Sequence, residues 1–347
     1  MKNSKSIKVL FVALLAMLVI AGCGKEEKGS TTSEEKIKFK IADSFPTTNY
    51  LSLEGTKYFM DKVVELTDGK VEFEYYPAEQ IGKANSYLDL TLSNTIQIGY
   101  TSYAADRLPL SEIATLPGAY DSSEEGSNVI WKLMKDYLMD EEYLPNGVRP
   151  LYAVALPQYQ LATVKKPVKK IEDIKGMKTR VTGTMELGFD ELGSSPVFMP
   201  ATEAYTAMER GTVDGVTFPF TSFTPYQIEE IANYSTKGAN LGSFTVIYSI
   251  NEKIYQDLPE DVKDALSEAG DETVKHLSVY LDDKNEELAE EFSSKMEIYE
   301  LTEEESAEWD EKLKPVWDRW AKNLEKRGIN ADEAIEKYQQ IRKELKE

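Results

Sequence analysis

The sequence predicts an α/β protein built as two lobes that share one long helix, and three observations support this prediction. Strand, helix, strand, helix and strand patterns alternate over residues 37–100, an order typical of a largely parallel sheet covered by helices. A second series of strands and helices follows over residues 148–218. The longest helical pattern, residues 259–296, would reach about 50 Å at a rise of ~1.5 Å per residue, so we expect it to straddle both lobes.

The elements of the first series follow from the periodicity of apolar side chains. Residues 37–41 alternate apolar and polar side chains, which predicts a strand, and residues 51–67 place apolar side chains on one face of a helix. The remaining predicted elements of this series are a strand at 71–76, a short helix at 85–93 and a strand at 96–100.

The second series begins with a strongly apolar strand pattern at residues 148–156. Gly211, a typical residue after a helix C-terminus, separates the last helix of this series from its last strand. The predicted elements are strands at 179–181 and 213–218 and helices at 185–192 and 202–210, followed by a strand at 244–250.

The C-terminal part is predicted to be helical. One long helix at residues 259–296 is the preferred interpretation, and two shorter helices broken near Gly270 are the alternative. Thr302 is expected to cap the next helix, with Glu305 at the capping-box position. Tryptophans at helical spacing follow and indicate core packing, and Asp332 begins the final helix.

The N-terminal residues are typical of an exported protein. Three lysines precede an uncharged apolar run at residues 9–22, which is short for a membrane-spanning helix because such a helix needs roughly 20 residues. The run closes with Ile-Ala-Gly-Cys, which resembles the lipobox of bacterial lipoproteins, and this resemblance implies that Cys23 is lipidated. We therefore predict a lipoprotein signal peptide at 1–22, a lipidated cysteine with a flexible tether at 23–36, and anchoring on the extracytoplasmic face of the cell membrane. An ordinary signal followed by an incidental cysteine is the alternative.

Composition argues against several classes of function. Forty Lys and Arg against 61 Asp and Glu give a net charge of −21, or −24 without the three signal lysines, so nucleic acid is a poor partner. A single histidine and a single cysteine argue against a zinc or iron site and against a Ser-His-Asp or Cys-His enzyme. His276 lies in a charged helical stretch and is interpreted as a surface residue of that helix. No Gly-rich phosphate loop occurs in the sequence, and no cofactor is expected.

Three fragments in order resemble a known family. Residues 67–82 contain Thr-Asp-Gly-Lys-Val followed by Tyr-Pro-Ala-Glu-Gln-Ile-Gly. Residues 172–181 read Glu-Asp-Ile-Lys-Gly-Met-Lys-Thr-Arg-Val, and residues 199–215 run from Met-Pro-Ala-Thr to Thr-Val-Asp-Gly. Over about residues 37–301 the chain resembles a solute-binding protein of a TRAP (tripartite ATP-independent periplasmic) transporter, of the dicarboxylate-binding-protein type.

The resemblance implies a type II periplasmic-binding-protein-like fold, in which two hinged lobes are spanned by a long helix. We expect lobe 1 to comprise residues 37–157 with 245–275, and lobe 2 to comprise residues 158–244 with 276–347, including the C-terminal helices. The implied function is capture without catalysis. A small organic acid is bound in the cleft between the lobes and delivered to the membrane subunits of a TRAP permease driven by an ion gradient.

Arg180 is the residue expected to bind the acid. It is one of seven arginines and lies in a short strand predicted to end at the face where α/β units bind ligands. A guanidinium offers a planar fork of donors that matches a carboxylate, and a carboxylate that leaves water needs such a partner. In the family that the chain resembles, the arginine at this Gly-x-x-x-Arg-Val position pairs with the substrate carboxylate. An arginine that bridges two surface loops is the alternative.

Two positions depart from the family pattern and bear on the ligand. Phe218, beside Thr217, stands where many members have an asparagine that helps to hold the ligand, and Gln160 stands where sialic-acid-type members have a second arginine. A phenyl ring and an amide make a less cationic and more apolar pocket. We therefore expect a monocarboxylate with an apolar, aromatic or keto/hydroxy body rather than a C4-dicarboxylate or sialic acid.

The first lobe offers candidate ligand contacts by position alone. Phe45, Asn49 and Tyr50 follow the first predicted strand, and Tyr100 and Ser102 lie at and after the end of the third. Loops at these places are expected to face the cleft, although tyrosines also serve at the edges of hydrophobic cores.

Two other classes of function stay open on the sequence. An ABC-type receptor lipoprotein for a similar anion is the nearer alternative, and it would work with an ATPase rather than an ion-coupled permease. A secreted hydrolase with paired carboxylates, such as a glycosidase, is the more distant one, because 61 acidic residues supply suitable pairs by chance.

Overall fold

The computed structural model describes residues 36–346. The predicted signal peptide at 1–22 lies outside the described residues, and so do Cys23 and all but the last residue of the predicted tether segment at 23–36. These assignments therefore stay predictions. None of the helices within the described range combines the length and the apolar character that a membrane span needs.

Eleven strands alternate with ten α-helices in the described part of the chain. The strands are β1 (Ile37–Ala42), β2 (Val71–Tyr76), β3 (Ile98–Tyr100), β4 (Val148–Ala155), β5 (Gln160–Thr163), β6 (Lys178–Val181), β7 (Ser195–Phe198), β8 (Gly215–Phe218), β9 (Tyr234–Lys237), β10 (Thr245–Asn251) and β11 (Glu297–Glu300). The helices are α1 (Tyr58–Leu66), α2 (Tyr87–Leu92), α3 (Ser123–Leu133), α4 (Met185–Glu191), α5 (Ala201–Glu209), α6 (Glu252–Gln256), α7 (Glu260–Phe292), α8 (Glu303–Leu313), α9 (Pro315–Glu325) and α10 (Asp332–Lys346).

The strands form two sheets of mixed strand direction. The first sheet has the order β2-β1-β3-β10-β4, in which β1 is parallel to β2 and β3, and β10 is antiparallel to β3 and β4. The second sheet has the order β11-β9-β5-β8-β6-β7, in which β6 is parallel to β7 and β8, and β5 is antiparallel to β8 and β9. The prediction of an α/β protein with two units is thereby confirmed.

The chain crosses between the sheets through two segments that lie side by side. These crossover segments, residues 156–159 and 238–244, are joined by main-chain hydrogen bonds of 2.9 and 3.2 Å. Gly242 has a φ of 102°, and a Cβ at this position would lie 2.6 Å from the carbonyl oxygen of Thr115. Only glycine fits there, because other residues avoid this backbone conformation and would clash with that carbonyl.

Helix α7 is continuous over 33 residues and reaches elements of both sheets. It packs on α1 and β4 at one side, and at its C-terminal end the ring of Phe292 lies 5.5 Å from that of Phe223, which follows β8. Gly270 does not break it. A Cβ at Gly270 would lie 2.1 Å from the carbonyl oxygen of Leu151 on β4, so the glycine lets the helix approach the strand closely. The alternative of two helices broken near Gly270 is therefore wrong, while His276 lies partly exposed on α7 as expected.

Two predicted helices have a more complex form than expected. The helix predicted at 51–67 begins as a π-helical segment at Leu51–Lys57 before it becomes regular in α1. The helical pattern with the tryptophans, which follows Thr302, is divided into α8 and α9. The second helix begins at Pro315, because proline fits the first turn of a helix but not its interior. The capping box of Thr302 and Glu305 at the start of α8 is confirmed.

The C-terminal helix packs on the side of the first sheet. Helix α10 packs on α3, which itself covers β4 of the first sheet. Arg342 of α10 donates a hydrogen bond to Glu125 Oε1 of α3 at 2.6 Å. These contacts place residues 332–346 beside the helix that covers the first sheet. The lobe boundaries, including 276–347 in lobe 2, stay predictions.

Candidate functional site

Arg180 of β6 is 1% exposed, and main-chain carbonyls hold its guanidinium in place. Its Nε donates a hydrogen bond to Met199 O (3.1 Å), and its Nη1 donates one to Thr217 O (2.9 Å). The hydroxyl of Thr217 donates in turn to Arg180 O (3.1 Å). Because these bonds tie the guanidinium to the strands on either side of it, the alternative of an arginine that bridges surface loops is wrong.

The buried charge of Arg180 has no acidic partner among residues 36–346. The arginines in this range that form ion pairs with acids are Arg107, Arg149, Arg319 and Arg342. The ring of Phe218 lies against the guanidinium of Arg180 instead, with 4.4 Å between the ring centroid and Cζ. A cation–π contact is worth about 0.5–2 kcal/mol, whereas burial of an ion costs several kcal/mol. The site is therefore electrostatically incomplete and suited to an anion.

Aromatic side chains surround the guanidinium. The ring of Phe218 lies 5.3 Å from that of Tyr226 with nearly parallel planes (15°), and 6.3 Å from that of Tyr159. Burial raises the pKa of Tyr103, and the positive charge of Arg180 opposes part of that rise. Burial also raises the pKa of Tyr159 and Tyr226. All three phenols are thus protonated at neutral pH and able to donate hydrogen bonds.

These tyrosines come from both sheets. Tyr100 ends β3 in the first sheet, and the ring of Tyr103 lies 5.8 Å from it with perpendicular planes (90°). Tyr159 belongs to a crossover segment, and Tyr226 follows β8 of the second sheet. Burial raises the pKa of Tyr100 well above its usual value, and the neighbouring Tyr103, Tyr226 and Tyr159 raise it further. We name these four residues the tyrosine cluster, and it places the site where the two sheets meet.

The predicted site residues of the second sheet lie together. Gln160 is the direct cross-strand partner of Phe218 in the antiparallel pair of β5 and β8. Arg180 pairs with Val216, two residues before Phe218 on the same strand. Directly paired residues and alternate residues of a strand face the same side of a sheet, so Gln160, Phe218 and Arg180 share one face. Thr217 points to the other face and offers Arg180 its main-chain carbonyl.

Two of the first-sheet candidates have contacts that suit a binding site. The ring of Phe45 packs on Tyr100 at 4.7 Å, which joins it to the tyrosine cluster. Asn49 is buried, and its Oδ1 accepts a hydrogen bond from Leu51 N (2.9 Å). Its Nδ2 has no partner among the described residues and remains available to donate a hydrogen bond.

Tyr50 and Ser102, the remaining first-sheet candidates besides Tyr100, differ in their contacts. The ring of Tyr50 lies 5.8 Å from that of Tyr280 on α7. The hydroxyl oxygen of Ser102 accepts a hydrogen bond from Ile247 N (2.8 Å) on β10. Ser102 also interacts with the side chain of Tyr100 and opposes part of the rise in the pKa of that phenol, so Ser102 borders the tyrosine cluster whereas Tyr50 does not.

Sequence reasoning missed four residues at this site: Tyr103, Tyr159, Tyr226 and Thr182. Thr182 is 1% exposed and lies two residues after Arg180, so strand alternation was a signal for it. Tyr103 follows the third strand by three residues, where the loop was already suspected. Tyr226 could not be recognised from the local sequence, because only the folded chain brings its ring against that of Phe218.

A contact near Arg180 joins the segment after β3 of the first sheet to the segment after β6 of the second sheet. The hydroxyls of Thr115 and Thr184 lie 2.8 Å apart, which links a segment after β3 to the segment after β6. Glu112 lies next to this contact, since a Cβ at Gly183 would be 3.5 Å from Glu112 Oε2. Burial raises the pKa of Glu112 to about 7. The loop that follows β6 therefore contacts the segment that follows β3 of the first sheet.

Comparison with known proteins identifies the family. Residues 43–323 match the family model DctP, described as bacterial extracellular solute-binding protein, family 7. The C4-dicarboxylate-binding periplasmic protein DctP of Rhodobacter capsulatus is 25% identical over 291 residues, which cover 78% of this chain and 82% of that protein.

Solved structures share the fold over nearly their whole length. A TRAP solute-binding protein from Rhodoferax ferrireducens with copurified benzoate has a TM-score of 0.83 at 23% identity and covers 89% of this chain and 98% of that one. A marine metagenome TRAP solute-binding protein specific for aromatic acid ligands, in complex with 3-hydroxybenzoate, has a TM-score of 0.81 at 21% identity, with 89% and 98% coverage. The predicted two-lobed type II fold is thus confirmed. The chain belongs to the DctP family of bacterial extracellular solute-binding proteins, and its function is solute binding rather than catalysis.

Proposed function

We propose that this chain captures a small organic monocarboxylate with an aromatic or hydroxylated body at Arg180 and delivers it to a TRAP permease. The observation that carries the proposal is a guanidinium that is 1% exposed and forms no ion pair with any acid among residues 36–346. A ligand carboxylate would supply the missing negative charge in a place from which water is excluded.

The geometry of Arg180 suits a carboxylate. Two of the five N–H donors of the guanidinium bind main-chain carbonyls, and the others are positioned by those two bonds. A fork held in this way loses little side-chain entropy when it binds a carboxylate through two parallel hydrogen bonds. Neutral phenols of the tyrosine cluster can add further donors.

The surrounding rings favour an aromatic or otherwise apolar body. Phe218 and Tyr226 offer stacking surfaces, and neither Phe218 nor Gln160 supplies a cation for a second carboxylate. The benzoate and 3-hydroxybenzoate bound by the two structural relatives support this ligand class. The Rhodobacter capsulatus relative is named for C4-dicarboxylates, which makes succinate the decisive competitor. Phe45, Asn49 and Tyr100 are the proposed contacts from the first lobe.

The proposed cycle begins with an open form, in which the lobes separate about the two crossover segments and admit the acid. Closure then encloses Arg180 as it is in the present structure. Sites between lobes are favoured for small molecules because closure buries most of the ligand surface. The closed form is the state that we expect the permease to recognise.

The proposed attachment to the membrane depends on Cys23. Two or more acyl chains give stable anchoring, whereas one holds only marginally. The residues between Cys23 and β1 would extend to about 45 Å at most, a reach that lets a receptor turn toward a neighbouring permease. Cys23→Ala should move the protein from the membrane fraction to the soluble fraction, and a protein that stays with the membrane would contradict the anchor.

Calorimetric titration of the purified protein tests the ligand class. Benzoate, 3-hydroxybenzoate and mandelate should bind and raise the unfolding temperature. At a ligand concentration 100 times Kd, binding should add about 2.7 kcal/mol to the free energy of unfolding. Succinate and sialic acid should bind more weakly. Preference for either of these two, or no binding by any aromatic acid, would contradict the proposal.

A further inference from the structure

A buried carbonyl oxygen of Gln160 lies on the same sheet face as Arg180 and is not satisfied by the protein. Gln160 is 5% exposed, and its Nε2 donates a hydrogen bond to Gln158 O (2.8 Å). That bond fixes which end of the amide is which, because only the nitrogen can donate to a carbonyl. The remaining atom, Oε1, has no hydrogen-bond partner among the described residues.

The side chain of Gln160 shares its sheet face with Phe218 and Arg180. Gln160 stands directly opposite Phe218 on the neighbouring strand, and the ring of Phe218 lies against the guanidinium of Arg180 at 4.4 Å. Side chains directly opposite in an antiparallel pair have Cβ atoms about 4.5–5.5 Å apart. Gln160 and Arg180 therefore both neighbour Phe218 on one face of the sheet.

A second polar atom on this side is also unsatisfied. Thr182 is 1% exposed, and its hydroxyl has no hydrogen-bond partner of normal geometry among residues 36–346. The hydroxyl of Thr182 lies near that of Tyr103. Thr182 and Arg180 both oppose part of the rise that burial causes in the pKa of Tyr103. Buried polar groups in folded proteins are nearly always paired, so two unpaired groups beside a binding arginine point to a ligand that pairs with them.

We propose that the natural ligand carries a hydrogen-bond donor in addition to its carboxylate, a hydroxyl or N–H group that donates to Gln160 Oε1, with Thr182 as a second contact. This inference rests on the proposed function, because it assumes that the carboxylate is held by Arg180. Gln160 is then a specificity-determining residue. It selects hydroxy or N–H acids over plain acids of the same shape, because a plain acid would leave the amide oxygen buried and unpaired.

Two matched pairs of acids test the inference on the purified protein. Mandelate differs from phenylacetate by one hydroxyl, and 3-hydroxybenzoate differs from benzoate in the same way. In at least one pair the hydroxylated acid should bind about 10-fold more tightly or better, measured by calorimetric titration. Equal binding within both pairs would overturn the inference while leaving the proposed function intact. Failure of all four acids to bind would overturn the proposed function and the inference with it.

The variant Gln160→Met assigns the effect to the amide, because it keeps the length of the side chain and removes the acceptor. The preference for the hydroxylated acid should fall to less than about 3-fold, while the plain acid binds nearly as before. Gln339→Met, an exposed substitution on α10, is the matched control and should keep the preference. A preference that survives Gln160→Met would contradict the assignment. Thr182→Val gives a second test if Gln160→Met does not fold, and a full preference in that variant would contradict the role of Thr182.

Discussion

Asp43 and Arg180 are buried ionisable side chains on opposite sides of the site, and they differ in how completely the protein satisfies them. Asp43 follows β1 and is 0% exposed. Both of its oxygens accept hydrogen bonds. The donors are Phe45 N (2.9 Å), Thr56 Oγ1 (3.1 Å), Tyr75 OH (2.7 Å) and Tyr248 OH (2.6 Å).

Arg180 has two carbonyl acceptors and no anion among the described residues. The comparison indicates that burial alone does not mark a functional charge. A buried carboxyl group whose hydrogen-bond partners all come from the protein organises the fold around it, whereas a charge that lacks a partner of opposite sign is available to a ligand. Substitutions at the two positions should therefore separate stability from binding.

The largest expected effect is the loss of acid binding in Arg180→Met. Removal of the buried partner of a carboxylate should cost about 2–5 kcal/mol of binding free energy, measured by calorimetric titration with benzoate or 3-hydroxybenzoate. The unliganded variant should unfold at the same temperature as the wild type or higher, because an unpaired buried charge is removed. Arg210→Met, at an exposed arginine, is the control. Binding within a few fold of wild type would break the comparison.

The opposite pattern is expected for Asp43→Ala. Its removal leaves buried hydroxyl and amide donors without an acceptor, so the free energy of unfolding should fall by about 3 kcal/mol, measured by urea denaturation without ligand. The exposed Asp264→Ala on α7 controls for loss of an acidic side chain. A variant as stable as this control would show that the Asp43 network does not hold the fold.

A smaller effect is expected for Arg180→Lys. An ammonium keeps the positive charge but lacks the planar fork, so the variant should bind more tightly than Arg180→Met and more weakly than the wild type, by about 1–2 kcal/mol. Calorimetric titration with the same acid gives the three affinities. Full recovery by lysine would mean that charge alone, without paired hydrogen bonds, accounts for binding.

The smallest effect concerns pH. Burial raises the pKa of Asp43 to about 6, and hydrogen bonds from Tyr248, Tyr75, Phe45 N and Thr56 oppose part of that rise. The folded state therefore holds the proton more tightly than the unfolded state. The resulting stability is fully present below the usual aspartate pKa of 3.8 and is lost as the pH rises through about 6.

Asp43→Asn tests this sign, because asparagine does not titrate. The free energy of unfolding of the variant should fall furthest below that of the wild type near pH 4, and the difference should shrink between pH 4 and 7. Urea denaturation at each pH measures both values. Asp264→Asn is the matched exposed control. A difference between Asp43→Asn and wild type that stays constant over this range would contradict the raised pKa.

Sequence reasoning succeeded where periodicity is strong and long. β1 and α7 were predicted to within a few residues, because alternation and a helical apolar stripe mark them directly. Strands β5, β7, β9 and β11 were not predicted, because polar residues or a proline occupy half or more of each four-residue sequence and no apolar run marks it. Helix α3 was also missed, because Gly126 and Ser127 occupy part of its buried face in place of an apolar stripe.

The same difference applies to the site. Arg180 was predictable because it lies on a strand within a recognisable motif, and Thr182 could have been added from strand alternation. The tyrosine cluster was not predictable as a group, since Tyr103, Tyr159 and Tyr226 lie on three separate connecting segments. Asp43 carried no signal either, because its donors Tyr75 and Tyr248 come from strands far apart in the chain.

The most direct test of the central claim is a crystal structure of the purified protein grown with 3-hydroxybenzoate or with the acid that copurifies. We predict that the carboxylate of the acid lies within hydrogen-bond distance of two guanidinium nitrogens of Arg180, with its ring against Phe218. A carboxylate held by other residues, with Arg180 still lacking an anion, would contradict the account.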